Sequence, residues 1–240
     1  MDINISSFLS MSCIDGDGVR SVFFVQGCPL KCAYCHNPET QAFSKNITFS
    51  VDSIIEMMSK YRNYYGKDGG ITISGGEPLY QIDAVTEIFR RCKEELGITT
   101  CLETSGVYPA EAKDKLDALI GLSDKIYCDY KFIPQQKNPL FTNEGIIKTE
   151  NFLKKCHNEK TVVRTVVIPN INNNQTYIDC LVKKIRSLGL FNIELLPFKK
   201  TCIFKYRELN REFPLWETRE ATQEEVLLLQ NLVNSYSQGF

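Results

Sequence analysis

The sequence predicts an α/β fold in which a parallel β-sheet is covered by helices. Three observations predict it. Six short apolar runs rich in β-branched and aromatic residues read as buried strands. Segments of helical period lie between them, and 43% of the 240 residues are hydrophobic, enough for a substantial core. No linker, low-complexity segment or repeat beyond the strand–helix rhythm divides the chain. The expectation is therefore a single domain over residues 1–240, with residues 200–240 forming a C-terminal lid and helix packed on it.

The first strand, residues 21–26, follows the turn chemistry of Asp15, Gly16, Asp17 and Gly18. Val51, Ile54, Ile55, Met58 and Tyr61 then recur at helical spacing, with Ser50 or Asp52 as the cap. Residues 70–74 are the second strand, and Val85, Ile88, Phe89, Cys92 and Leu96 mark the next helix. Residues 99–104 are the third strand, and Pro109 suits the first turn of a helix carrying Ala112, Leu116 and Leu119. Residues 125–130 are the fourth. A loop with Pro134 and Pro139 leads to a helix with Ile146, Ile147, Leu153 and Cys156. Residues 161–168 are the fifth and carry the strongest β signal. A turn follows at Pro169-Asn170 and residues 172–174. Ile178, Leu181, Val182, Ile185 and Leu188 then form a helix stopped by Gly189. Residues 192–196 are the sixth strand. Residues 198–221 have no clear period, and a helix bearing Val226, Leu229, Val233 and Tyr236 closes the chain.

A net charge of −1 leaves no basic surplus for a general grip on nucleic acid. No apolar run is long enough to span a bilayer, and Met1-Asp2-Ile3-Asn4-Ile5 lacks the basic start and apolar stretch of a secretion signal. No membrane partner is expected, and the expected location is the cytoplasm. Ten cysteines would suit a disulfide framework in a small secreted chain, which this is not. Seven of them, Cys13, Cys92, Cys101, Cys128, Cys156, Cys180 and Cys202, are scattered, and most of these read as small buried apolar residues.

The other three share one loop. Cys28, Cys32 and Cys35 follow the first strand directly, with three and then two residues between them. Three thiolates so spaced can hold three irons of a cubane cluster and leave the fourth open to a small molecule. A zinc site with His36 as fourth ligand is the alternative that these residues leave open.

Chemistry in parallel α/β sheets gathers at the C-terminal strand ends. There the sequence places Gly75, Gly76 and Glu77, then Glu103, then Asp129 and Lys131, then Arg164, then Lys199. The glycines would let backbone approach a ligand, and Glu77 would accept from an ammonium group. Glu103 and Asp129 would serve hydroxyls or a cation, and Lys131 and Arg164 would pair with carboxylates. The set suits an amino-acid-like ligand that carries a sugar. Plainer readings stand beside these: a simple turn at the glycines, a mutual Asp129–Lys131 pair, a buried ion pair for Arg164 and a solvated Lys199–Lys200 pair. His36 either shapes its loop or touches a cofactor. Asp15, Asp17 and Arg20 either order their own turn or lie near a docked partner.

The cysteine spacing, with Tyr34 before the last cysteine, and Gly75-Gly76-Glu77-Pro78 together resemble the signature of radical S-adenosylmethionine (SAM) enzymes. Further words are similar to those of glycyl-radical-enzyme activating enzymes, the pyruvate formate-lyase type above all. They are residues 15–20, Gln26-Gly27-Cys28, residues 34–40, Asp129-Tyr130-Lys131 and residues 194–198. The resemblance runs from about residue 12 to the sixth strand. It implies a partial TIM barrel, (βα)6, of the radical SAM type, with one [4Fe–4S] cluster on Cys28, Cys32 and Cys35. It implies S-adenosyl-L-methionine held through its amino and carboxylate groups. The implied contacts are Tyr34, His36, Gly75, Gly76 and Glu77, with Glu103, Asp129, Tyr130, Lys131, Arg164 and Lys199.

The implied reaction is reductive cleavage of SAM, with an electron from a flavodoxin or ferredoxin. Hydrogen is then abstracted from a backbone glycine of a partner glycyl radical enzyme. Residues 42–70 contain no cysteine, which favours the single-cluster type. Lys199 stands where the pyruvate formate-lyase type has a histidine, and Glu103 where it has an aspartate in a related word. The sequence does not set oligomeric state; a monomer satisfies it. Two other functions remain: a radical SAM enzyme acting on a small molecule or modified peptide, and a non-catalytic metal-binding protein.

Overall fold

A computed structural model describes residues 1–131 and 143–236. The loop expected around Pro134 and Pro139 lies outside the described residues. Contacts divide the chain into two compact units: Met1–Pro29 with Glu39–Tyr127, and Leu30–Pro38 with Cys128–Phe240.

In the first unit, β1 (Asp2–Ser12), β2 (Arg20–Val25), β3 (Ile47–Ser50), β4 (Gly70–Gly75) and β5 (Thr99–Thr104) lie in the order β3-β1-β2-β4-β5. β2, β4 and β5 run parallel, with Arg20 opposite Gly70, Val25 opposite Gly75, and Ile71 opposite Thr100. β1 is antiparallel to both its neighbours. The sequence did not announce β1 or β3. Ile3 and Ile5 of β1 alternate into the core, but four serines follow and the register against β2 shifts twice. β3 has only four residues and is held by its pairing with β1.

α1 (Val51–Tyr61) buries Val51, Ile54, Ile55 and Met58. Ser50, rather than Asp52, caps it by accepting the Ser53 N–H at 3.1 Å. α2 (Ile82–Arg91) buries Val85, Ile88 and Phe89 and continues as a π turn through Leu96, closed by Gly97 at φ 62°. The single helix expected after Pro109 is split. A 3₁₀ segment, Ala110–Lys115, precedes α3 (Leu116–Leu122). Val22, Phe23, Ile71, Ile73, Cys101 and Leu102, on both faces of the strands, are fully buried.

β6 (Lys125–Asp129) carries the chain into the second unit. Just past it, the Tyr130 N–H donates to the Arg164 carbonyl at 2.8 Å. α4 (Asn143–Leu153) stops before Cys156, and His157 then opens a 3₁₀ turn. β7 (Thr161–Val167) and β8 (Ile193–Pro197) are parallel, with Arg164 opposite Glu194. Between them α5 (Gln175–Ser187) is capped by Asn174, which accepts the Tyr177 N–H at 2.9 Å. Gly189 follows its end at φ 81°.

The aperiodic stretch contains a short helix, α6 (Ile203–Glu208). α7 (Gln223–Ser235) opens with a reciprocal Thr222–Glu225 capping box. Its Gln230 side chain accepts the Leu195 N–H and donates to the Ile193 carbonyl, so α7 satisfies backbone of β8 on one side. No helix among the described residues is long and apolar enough to cross a membrane.

Candidate functional site

Within the first unit, β2 and β4 end side by side, and both motif loops start there. Gly75, at φ 97°, has no room for a Cβ, which would lie 2.5 Å from Phe24 Cα. A Cβ on Gly76 would lie 2.3 Å from the Gly27 carbonyl oxygen. The Gly76 N–H donates to Val25 O and the Glu77 N–H to Gly27 O, each at 2.8 Å. The close approach expected between these glycines and a ligand is thus an approach to the chain itself. They pin the residues from which Cys28 departs.

Glu77 also differs from its expected role as acceptor for an ammonium group. It is 1% exposed. Its carboxylate accepts from the Leu79 N–H at 3.1 Å, the Ser105 N–H at 2.8 Å, and the hydroxyls of Thr104 and Ser105. Burial pushes its pKa up, against the pull of those hydrogen bonds. A carboxylate surrounded by four protein donors is a joint between the loops after β4 and β5. Glu103 is less enclosed and accepts from the Ser74 hydroxyl at 2.7 Å.

In the second unit, Cys32 and Tyr34 are each 9% exposed, and the Cys35 N–H donates to the Cys32 carbonyl at 3.1 Å, closing a turn. Cys35 is half-buried. The Lys131 ammonium lies 2.8 Å from Asp129 Oδ2 and 5.7 Å from the Tyr34 ring centre. Burial pushes the Cys32 thiol up to about 11, against the pull of Lys131. The mutual Asp129–Lys131 pair is therefore present, with Asp129 still 47% exposed at its side chain.

Other expected contacts are engaged within the unit. Tyr130, just past β6, is buried, and its hydroxyl donates to Glu150 at 2.9 Å. Arg164 pairs with Glu194 at 2.6 Å, the ion-pair reading of that residue. Lys199 pairs with Glu220 at 3.2 Å, and its carbonyl accepts from His36 Nε2 at 3.1 Å. His36 is exposed and shapes the loop through that bond. Two more straps from α6 and its surroundings escaped the sequence reading: Lys205 donates to Asn37 at 2.8 Å and Arg211 to the Pro38 carbonyl. Their signal lay in a segment without period.

Arg20 begins β2, at the opposite end from the cysteine loop. It borders a cavity of about 440 Å³ with Asp17, Asp68, Thr99, Asp124 and Lys125. Ordering the start of the strand is thus the reading its placement supports.

None of the ten cysteines is in a disulfide. Three thiols within eight residues, one of them buried, are a donor set that fits an iron–sulfur cluster. Among the described residues no three His, Cys, Asp or Glu side chains converge on one ion. A cubane makes no such demand, since each thiolate takes its own iron.

The family described as "4Fe-4S single cluster domain" matches residues 14–147. A radical SAM methyltransferase from Sphaerobacter thermophilus superposes with a TM-score of 0.61 at 14% identity, over 90% of this chain and 64% of that one. A domain of a pyruvate-formate lyase-activating enzyme from Bacteroides vulgatus gives 0.51 at 18% identity, over 70% and 95%. The fold and the cysteine loop thus define a single-cluster protein with the fold of the radical SAM enzymes, the partial-barrel class expected above. Pyruvate formate-lyase-activating enzymes of Listeria monocytogenes and Clostridium pasteurianum are 32% and 31% identical to the chain. The alignments cover 95% of it and 94% of the first, and 88% of it and 88% of the second. The chain belongs to the pyruvate formate-lyase-activating enzyme family.

Proposed function

We propose that this protein cleaves SAM reductively and abstracts hydrogen from a backbone glycine of a glycyl radical enzyme of the pyruvate formate-lyase type, thereby activating it. The observation that carries the reading is the three-cysteine loop with Cys32 buried near the Lys131–Asp129 pair, in a chain of this family. Cys28, Cys32 and Cys35 would hold three irons of one [4Fe–4S] cluster. When bound, the cluster supplies the electron that cleaves the sulfonium, drawn in turn from a flavodoxin or ferredoxin.

The protein's own groups orient and enclose. Asp129 offers its exposed carboxylate to the amino group of SAM, and Lys131 its charge to the carboxylate. Tyr34 covers the lysine and keeps water from it. Gly75, Gly76 and Glu77 act through backbone, holding the loop that carries Cys28. Glu103 serves a hydroxyl of the sugar.

Anaerobic reconstitution tests this. Wild type should give a [4Fe–4S] spectrum and release 5′-deoxyadenosine from SAM, and Cys28→Ala, Cys32→Ala and Cys35→Ala should each abolish both. Retained cleavage in any of the three would sink the proposal. A glycyl signal in electron paramagnetic resonance on a co-expressed partner separates activation from action on a small molecule. Zinc alone, with no cleavage, would leave a metal-binding protein.

A further inference from the structure

Tyr206, on α6, is 1% exposed. Its ring is held edge-on by Phe213 at 5.1 Å and faced by the Arg211 guanidinium at 5.4 Å. Its neighbours Lys205 and Arg211 strap Asn37 and Pro38, at the end of the cysteine loop. Its hydroxyl has no hydrogen-bond partner among the described residues. The groups that act on it electrostatically are Cys35, Cys202, Arg211 and Cys32.

A buried hydroxyl left without a partner is destabilising, and phenylalanine would fill the same space without that penalty. The hydroxyl makes physical sense if an acceptor arrives after folding. The thiols of the cysteine loop become acceptors of that kind on metal binding, because thiolate and bridging sulfide carry negative charge. A hydrogen bond to such sulfur favours the reduced cluster, which carries one more negative charge.

We propose that the Tyr206 hydroxyl donates a hydrogen bond to the sulfur of the cluster on its Cys35 side, and is a positioning residue that makes the cluster easier to reduce. The inference rests on the single-cluster reading of the loop given above.

The test compares wild type with Tyr206→Phe. Without cluster, the variant should be as stable as wild type in urea or more so, because no bond to protein is lost. After reconstitution both should hold the same iron and sulfide. At a fixed potential the variant's reduced-to-oxidised ratio should fall roughly tenfold, a midpoint about 59 mV lower for one electron. An exchangeable proton coupled to the reduced cluster, seen by electron–nuclear double resonance, should disappear. In a second protein, 3-fluorotyrosine incorporated at position 206 supplies a stronger donor and should raise the midpoint.

An unchanged midpoint at full iron content overturns the proposal, as does a cluster-free Tyr206→Phe protein that is clearly less stable. If Tyr206→Phe loses its iron, the fluorinated protein decides, and an unmoved midpoint there also overturns it. Failure of wild type to assemble any cluster overturns the proposed function instead.

Discussion

The Lys131 ammonium and the Asp129 carboxylate meet at 2.8 Å, with 8% of the lysine side chain exposed and 47% of the aspartate. Burial opposes the lysine charge, but Asp129, Tyr34 and Cys32 outweigh it and raise its pKa well above the ordinary value. For a base with a raised folded pKa, the stabilisation is fully present below the unfolded value of about 10.4 and disappears only as pH rises through the folded one. Asp129→Asn should therefore cost about 1–2 kcal/mol in urea unfolding, reduced from a buried pair by the exposure of Asp129. That cost should be level between pH 6 and 9. SAM binding should weaken in the same variant, as read by calorimetry on the reconstituted protein.

The cluster-free protein should lose stability in mild alkali through Cys32. Its thiol keeps a proton up to about pH 11 in the folded state, while the unfolded thiol loses it near 9. The folded state binds more protons in that window, so stability falls as pH rises through it. Other buried thiols act in the same direction, so the comparison is with Cys32→Ala. Its stability difference from wild type should change by about 2 kcal/mol between pH 8.5 and 10.5 in urea titrations, to the disadvantage of wild type.

Gly76→Ala changes no thiol, yet it should empty the site. A methyl 2.3 Å from the Gly27 carbonyl forces the backbone before Cys28 to move. A loss of more than about 2 kcal/mol is expected, typical of overpacking. Iron per chain after reconstitution should fall at least severalfold, whereas Gly121→Ala, where no atom lies within 4 Å, should retain it.

Glu77→Gln exchanges an acceptor for a donor where all four partners donate. Each carboxylate oxygen takes one backbone N–H and one hydroxyl, so whichever way the amide turns, Leu79 or Ser105 loses its acceptor, at a cost of about 2–4 kcal/mol. Thermal unfolding of the cluster-free variant should show the whole of that loss. An equal melting temperature would mean the carboxylate is not the joint described.

The parallel strands were legible because β2, β4 and β5 are short runs rich in β-branched or aromatic residues, and β5 agrees with its expected limits residue for residue. β1 was hidden by serine, and β3 by its brevity. In the candidate site, residue types marked loops at the strand ends, but period and spacing do not say which donors will close around a carboxylate. Glu77 was therefore assigned outward when it points inward. Tyr206 was invisible for a related reason: its importance lies in a hydrogen bond that it does not make.

Arg20 is 2% exposed and donates to Thr72 Oγ1, to Thr99 Oγ1, and to the carbonyls of Asp17, Asp68, Ile71 and Thr99. Every acceptor is neutral, and burial lowers its pKa. One side chain therefore reads the alignment of three strands at once. A slip of one residue would break these bonds together and turn each strand's inner face outward. Lysine, with a single nitrogen, cannot span those acceptors. A misaligned sheet would bury this charge without its acceptors, so the guanidinium penalises every register but this one.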